Sequence, residues 1–470
     1  VETGTDIVLV ALNARYSHCA YGARSLLANL GPLRGRAELI ETDIRAQPFQ
    51  LAAEIAARRP AVAGFSVYLW NASIVRETAL ILRRVSPLTR IVLGGPEIVP
   101  GDAARWAGAA DALVTGEGET AFRELCAEAL AGNPPRAAGG APIETRGAVE
   151  DLAAIELPYT LYTAEDLARR TVYVESARGC PHGCAFCSSR RTPLRLVDPA
   201  RLFPAFDGLI ARGARAFRFL DRSFNAHEDH ACAVLEGFLA RQPGRFQIHL
   251  EIRPRPFGAR LRRTLAAFPP GALHVEVGVQ TLNPAVGRAV GRADDADAVI
   301  AAIAFLMREA RATVHADLIF GLPGEDEDSF AAGFDRLVRE LDPPELQVNL
   351  LKGLPGTPLA APGAAPGLVF NPSPPYELLC SDALDFAAVA RLQGFARCWD
   401  LIHNRGRFPD AARAVWTRGG GSPFARYRAL AERILAREGR LYALGAQRLE
   451  THLEDFLREQ GADGGSASAG

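Results

Sequence analysis

Arg178-Gly179-Cys180-Pro181-His182-Gly183-Cys184-Ala185-Phe186-Cys187 is the stretch on which the reading of this chain turns. Its three cysteines follow the spacing C-x3-C-x2-C on one short loop. Three thiolates so spaced can hold three corners of an iron–sulfur cube, whereas an electron-transfer cluster ordinarily takes four. The remaining iron is then open to chelate a substrate, as the open position of a catalytic zinc is. A structural zinc is the alternative reading, with His182 or the distant Cys232 as fourth ligand. Such sites more often pair two C-x2-C knuckles, and the sequence holds no second knuckle.

Around the loop, apolar runs alternate with helical patterns. The runs are Val172–Ser176, Ala216–Leu220, Phe246–Ile252, Leu273–Val279, Thr313–Ile319 and Glu345–Leu351, and the helices fall at about 199–212, 228–241, 259–267, 295–309 and 328–340. Six such units are too few to close an eight-stranded barrel, but strand C-termini should still carry the chemistry. The cysteine loop follows the first of them. Upstream, strands are expected at Ile7–Leu12, Ala37–Ile40, Val62–Val67, Arg90–Leu93 and Ala112–Val114, separated by helices. That alternation predicts a doubly wound parallel sheet, in which ligands bind beyond the carboxyl ends of the strands. Three loops fall there: Asn13 to His18, Gly94-Gly95-Pro96-Glu97 and Thr115-Gly116-Glu117-Gly118-Glu119. Glycines at such ends let backbone approach a bulky ligand, and are equally ordinary turn chemistry.

At 470 residues, two or three domains are expected. A chain 48% hydrophobic and 23% charged fits a globular enzyme. A formal net charge of −1 offers no basic field for nucleic acid. Cys19, Cys126, Cys232, Cys380 and Cys398 are scattered, which suits buried small hydrophobes better than a disulfide scaffold. No leader and no apolar run of spanning length is evident, so no membrane partner and a reducing cytoplasm are expected.

The cysteine loop, with Phe186 before its third cysteine, resembles the radical S-adenosylmethionine (radical SAM) superfamily. So do Gly278-Val279-Gln280-Thr281, Gly321-Leu322-Pro323-Gly324-Glu325 and Gly353-Leu354-Pro355-Gly356-Thr357. Residues 6–135 resemble the cobalamin-binding domain that precedes many of these enzymes, and the rest is similar to a subfamily with a C-terminal domain of unknown function. The resemblance implies an α/β architecture. A Rossmann-like cobalamin-binding domain (1–135) is followed by a linker (136–170), a partial (β/α)6 barrel (171–358), a mainly helical C-terminal domain (359–460) and a disordered tail (461–470).

It also implies cofactors. Cys180, Cys184 and Cys187 would hold a [4Fe–4S] cluster whose bare iron chelates SAM, and an electron would split SAM into methionine and a 5′-deoxyadenosyl radical. Phe186 would lie near the adenine, Asp221 would hold the ammonium group, and Glu251 and Arg253 would contact ribose or carboxylate. Gln280 would reach cofactor or substrate, and Gly321 belongs to the turn around the adenine. Each has a plainer reading: Asp221 can cap the next helix, and Glu251 and Arg253, which share one face of a strand with His249, can form a buried ion pair. Gln347, Asn349 and Lys352 are candidates to face substrate, and Trp399, His403, Arg405 and Trp416 to line its pocket. For cobalamin the candidates are Asn13, Arg15, His18, Tyr68, Gly94, Gly95, Gly116, Glu117 and Gly118. The motif Asp-x-His-x-x-Gly is absent, so the lower axial position is unassigned; His18 could approach the corrin, or serve as a helix-capping or surface residue.

The function implied is methylation of an unactivated carbon, with methylcobalamin giving the methyl group and a second SAM restoring it. The alternatives are a cyclase or oxidoreductase without methyl transfer, and a non-catalytic cobalamin or redox sensor. The partners implied are a small-molecule substrate and an external reductant such as flavodoxin or ferredoxin.

Overall fold

Seven consecutive buried residues, Ile7–Asn13 (β1), form the spine of the N-terminal sheet, as a parallel strand covered on both faces requires. The computed structural model describes residues 5–465 apart from 133–140, 242, 362, 364 and 419. The chain divides into two compact units, one of residues 1–179 and 193–221, the other of residues 180–192 and 222–470.

In the first unit β1 lies between β2 (Ala37–Asp43) and β3 (Val62–Ser66), and the sheet continues through β4 (Arg90–Gly94), β5 (Ala112–Gly116) and β6 (Ile143–Gly147). All pairings are parallel. The strand order reverses between β1 and β3, where doubly wound sheets open a ligand crevice. On one face, Val8, Val10 and Leu12 pack with residues of α2 (Pro48–Ala57) and α3 (Ala72–Val85). On the other, Ile7 and Leu9 pack with α1 (Tyr21–Ala28) and α4 (Glu119–Leu130).

β6 corrects the expectation of a linker over 136–170. Its sequence, Ile-Glu-Thr-Arg-Gly, holds three consecutive polar residues and is half-exposed, so it lacks the apolar run that marks an interior strand. Residues 136–140 lie outside the described residues. The remainder packs: α5 (Ala164–Arg169) starts with a Thr163–Asp166 capping box. The buried Arg24 guanidinium bridges Glu41 and Asp166, both at 2.8 Å, while Arg170 binds the same two carboxylates at 2.8 and 2.9 Å. β7 (Val172–Val174), β8 (Ala177–Cys180), β9 (Thr192–Leu196), α6 (Pro199–Ala211) and β10 (Ala216–Phe219) follow, with β7 and β10 parallel.

In the second unit β11 (Gln247–Ile252), β12 (Leu273–Gln280), β13 (Thr313–Phe320) and β14 (Glu345–Leu350) are parallel in sequential order. They alternate with α7 (Glu228–Leu239), α8 (Ala259–Ala266), α9 (Pro284–Ala289), α10 (Ala296–Arg308) and α11 (Glu327–Glu340). With β7 and β10 these are the six strands of the expected partial (β/α)6 series. Alternation is strict: Leu273, Val275, Val277 and Val279 are buried, while His274, Glu276, Gly278 and Gln280 on the opposite face are partly exposed.

The C-terminal region is mainly helical, as expected: a short hairpin of β15 (Val369–Phe370) and β16 (Leu378–Cys380), then α12 (Phe386–Trp399), α13 (Pro409–Thr417), α14 (Pro423–Glu438) and α15 (Ala446–Gly465). α15 includes residues 461–465 of the expected disordered tail; 466–470 lie outside the described residues. These helices share a core with α11. The Phe334 ring meets Phe395 at 4.9 Å and Trp399 at 4.8 Å, and Phe395 meets Phe424 at 4.6 Å. Trp399 is fully buried and donates its indole N–H to the Leu346 carbonyl at 2.7 Å, which makes it core rather than pocket wall. Phe395→Ala should therefore destabilise the second unit by about 3–5 kcal/mol, seen as a lower urea midpoint by circular dichroism. An unchanged midpoint would contradict the shared core.

Candidate functional site

In the second unit the cysteine loop folds on itself before it meets anything else. The Cys180 amide donates to Thr192 Oγ1 at 2.8 Å, the Cys187 amide to the Cys184 carbonyl at 3.2 Å, and the Arg191 amide to the His182 carbonyl at 2.8 Å. The segment after α9 and the turn at Leu359 then fix it. Ala185 donates to the Val290 carbonyl at 2.9 Å and accepts from the Leu359 amide at 3.4 Å. Gly291, at φ +75°, passes so close that a Cβ there would stand 2.5 Å from the Gly183 carbonyl oxygen. Cys180 and Cys184 are buried, Cys187 is partly exposed, and all three are free thiols. Burial raises the Cys180 thiol, and the neighbouring Cys187 and Cys184 add to the rise. Three soft donors on one short loop suit an iron–sulfur centre.

Neither candidate fourth ligand for zinc is presented there. The His182 ring faces Ser223 Oγ at 3.3 Å, and burial together with Arg253 and Arg292 pushes its pKa down to about 4. Cys232 is buried within α7 beside Thr264.

The charge next to the thiols comes from a residue that sequence reasoning missed. Arg292 is buried; its Nη1 lies 3.9 Å from Cys184 Sγ, its Nη2 donates to the Gly278 carbonyl at 2.6 Å, and its Nε donates to Asp294 at 3.1 Å. Asp294 also accepts from Arg253, at 2.7 and 3.0 Å. Two guanidiniums share one carboxylate, which leaves positive charge beside the thiols and suits an anionic ligand group. Asn225 clasps the Arg253 backbone from both sides, at 2.9 and 3.1 Å. Glu251 stands opposite Glu276 in register. Phe186 is partly exposed in the loop. Gln280 ends β12 at φ +71°, and its amide lies where a Cβ on Gly278 would come within 2.7 Å. Gly321 takes φ +84°, and a Cβ there would meet Leu378 at 2.4 Å.

Glu325, in the same turn, does not cap α11; Asp326 does. Its Oε1 accepts from Thr281 Oγ1 at 2.7 Å and its Oε2 is buried without a partner, so burial pushes its pKa up to about 7. Asp221, in the first unit, likewise spends its oxygens on the chain. It accepts from the Ser176 amide at 2.9 Å and the Ser176 hydroxyl at 2.6 Å, and burial pushes it up to about 7. These bonds tie the ends of β7 and β10, and the acid caps no helix.

The first unit contains a cavity of about 300 Å3 at the carboxyl ends of its strands, lined by Gly94, Gly95, Gly116, Glu117 and Gly118 with Tyr68. Its walls are apolar: Leu9, Leu26, Val92, Val114 and Phe122. Tyr68 stacks on Trp70 at 4.5 Å. One side is charged. Arg178 pairs with Glu175 at 2.9 Å, Glu119 at 3.0 Å and Glu117 at 3.3 Å, and Arg195 with Glu117 at 2.6 Å. Burial opposes ionisation of Glu117, but Arg195, the Val149 amide and Arg178 outweigh it and hold the acid below its usual range. An apolar slot with an aromatic side and a polar rim fits the flat base and phosphate of a nucleotide-tailed cofactor.

Asn13, Arg15 and His18 do not line this cavity. The Asn13 amide donates to the His18 carbonyl at 2.8 Å and to Glu41 at 2.9 Å; Arg15 is exposed. The His18 ring bonds and stacks on Tyr173.

Two outcomes follow. Arg292→Gln removes an N–H aimed at a cluster ligand, and such bonds tune cluster potentials; the reconstituted variant should show a more negative midpoint by spectroelectrochemistry, and an unchanged midpoint would contradict the contact. Glu325 has a folded pKa above its unfolded one, so it stabilises least once ionised: stability should fall as pH rises from about 4 through about 7. Glu325→Gln should flatten that slope in urea titrations; an identical slope would remove Glu325 as its source.

Comparison with known proteins finds two matching regions. Residues 174–337 match the family profile of the radical SAM superfamily, and residues 7–126 that of the B12 binding domain. The chain is 27% identical over 334 residues to the cobalamin-dependent radical SAM methyltransferase TokK of Streptomyces tokunonensis, covering 64% of this chain and 48% of that protein. It is 35% identical over 167 residues to the 2-(S-pantetheinyl)-carbapenam-3-carboxylate methyltransferase of Streptantibioticus cattleyicolor, covering 30% and 24%. The chain thus spans about half or less of the length of these relatives. Its fold is similar to that of the radical SAM methyltransferase TsrM from Kitasatospora setae, with a TM-score of 0.62, 19% identity and 78% of each chain covered. The chain carries a radical SAM domain with a B12 binding domain ahead of it.

Proposed function

We propose that this protein is a cobalamin-dependent radical SAM enzyme that methylates an unactivated carbon of a small molecule. The observation that carries the reading is three free thiols on one short loop, with Arg292 reaching Cys184 and the Arg292–Asp294–Arg253 relay beside it. A [4Fe–4S] cluster on Cys180, Cys184 and Cys187 would supply the electron that splits SAM, and cobalamin would supply the methyl group.

The chain's own groups have defined tasks. Arg292 offsets charge at Cys184, and Arg253 is oriented by Asp294 and Asn225 to meet the carboxylate of SAM. Glu251 and Gln280 offer acceptors for ribose or substrate, and Phe186 a face for the adenine. In the first unit Tyr68, Gly94, Gly95, Gly116 and Gly118 would admit the cobalamin tail, with Glu117 fixed at the rim. His18 does not line the cavity, and its Nδ1 bonds the Tyr173 hydroxyl. The methyltransferase names of both curated relatives favour methyl transfer over ring formation. A reducing cytoplasm and a flavodoxin- or ferredoxin-type donor suit such a cluster; among the described residues no helix is long and apolar enough to cross a membrane.

The test is anaerobic reconstitution with iron, sulfide, SAM, reductant and hydroxocobalamin, followed by mass spectrometry. Deoxyadenosine, S-adenosylhomocysteine and bound corrin are expected together, with deoxyadenosine abolished in Cys184→Ala. Deoxyadenosine without S-adenosylhomocysteine would replace methyl transfer by cyclisation or oxidation. Absence of both, with the cluster reduced, would leave a sensor.

A further inference from the structure

The polar face of β11–β14 carries a second constellation that the proposed chemistry does not use. His274 is the second residue of β12, His315 the third of β13 and Glu345 the first of β14. One donor atom of each lies within 4.8 Å of the other two. The cysteine loop is anchored past the other end of β12, at Val290 and Gly291. The six residue steps from His274 to Gln280 alone span about 20 Å, so the two groups are separate.

We infer that His274, His315 and Glu345 form a binding site for a divalent first-row transition metal, with zinc the best match. The donor set is two imidazoles and one carboxylate, a combination that holds zinc with one position left for water. The register supports it: His315 stands opposite Glu345, and the two His rings meet edge to face at 6.4 Å. His315 Nδ1 is 3.7 Å from Glu345 Oε2. Donors at tetrahedral angles on bonds of about 2.0–2.1 Å sit about 3.3 Å apart. The gap closes by small side-chain rotations, and Glu345, with 40% of its side chain exposed, has room to turn.

The surroundings point the same way. A metal-bound imidazole usually directs its other ring nitrogen to a carboxylate. His315 Nε2 lies 3.3 Å from Asp317 Oδ1, near enough for an ion pair though it makes no aligned hydrogen bond. His274 stacks flat on His249 at 4.6 Å, and His249 Nε2 lies 3.2 Å from Glu276. Glu276, Asp317 and Glu345 therefore surround the imidazoles with negative charge that a divalent cation would offset. Glu276 pairs in register with His315 on one side and Glu251 on the other, so the acidic tier spans β11 to β14.

The site is separate from the proposed catalysis, and its test is independent of turnover. Holoenzyme with its cluster in place, so that the three thiols are occupied by iron, is equilibrated with zinc, desalted and measured by plasma mass spectrometry and zinc-edge X-ray absorption. One retained equivalent is expected, with an N/O shell at about 2.0–2.1 Å and no sulfur shell at about 2.3 Å. His274→Gln and His315→Gln should lose it, and Asp317→Asn should bind about 10- to 100-fold more weakly, each checked for native circular dichroism. Should a variant not fold, the wild-type absorption spectrum still decides. A sulfur shell, loss of all zinc on desalting, or retention in both His variants would overturn the site and leave a network of ion-paired histidines only.

Discussion

Three thiols held within one short loop are a charge problem before they are a metal site. As thiolates they repel one another at short range in a partly dry environment, and the thiol of Cys180 is raised by burial and by its two neighbours. The fold answers with an arginine delivered from far along the chain. Arg292 is locked by a backbone carbonyl of β12 and by Asp294, and reaches Cys184. The close pass of Gly291 against Gly183 lets that segment lie flat on the loop. The rest of the account presupposes this compensated trio.

The first unit solves the opposite problem, keeping an apolar slot open beside ionised groups. Buried ion pairs seldom add net stability, because desolvation offsets the Coulombic gain. The cluster of Arg178 and Arg195 with Glu117, Glu119 and Glu175 is better understood as keeping every charge at the cavity partnered, so that none must be solvated by water within it. Ser25 extends the network by donating to Glu119 at 2.8 Å.

What was legible in the sequence is what local pattern encodes. The cysteine spacing, the six strands and the first five strands of the first sheet all follow from residues close together in the chain. β6 escaped because an edge strand needs only one covered face, and Ile143–Gly147 holds three consecutive polar residues. Arg292 escaped because 108 residues separate it from Cys184. For His18 the sequence leaves a corrin-facing and a capping or surface role open, and its partner Tyr173 lies 155 residues on. The glycines of Gly116-Glu117-Gly118 were legible as a ligand loop, but the arginines that hold Glu117 were not. The alternation His274, Glu276 and His315, Asp317 was visible residue by residue; only strand register brings the two rings and Glu345 together.

The central claim is an iron cube on three thiolates with its last corner open to SAM. Electron paramagnetic resonance of the dithionite-reduced, reconstituted protein, recorded before and after SAM is added, tests it most directly. The account predicts the signal of a reduced [4Fe–4S] cluster whose g values shift on adding SAM. A reduced cluster indifferent to SAM would contradict it, as would zinc in place of iron at Cys180, Cys184 and Cys187.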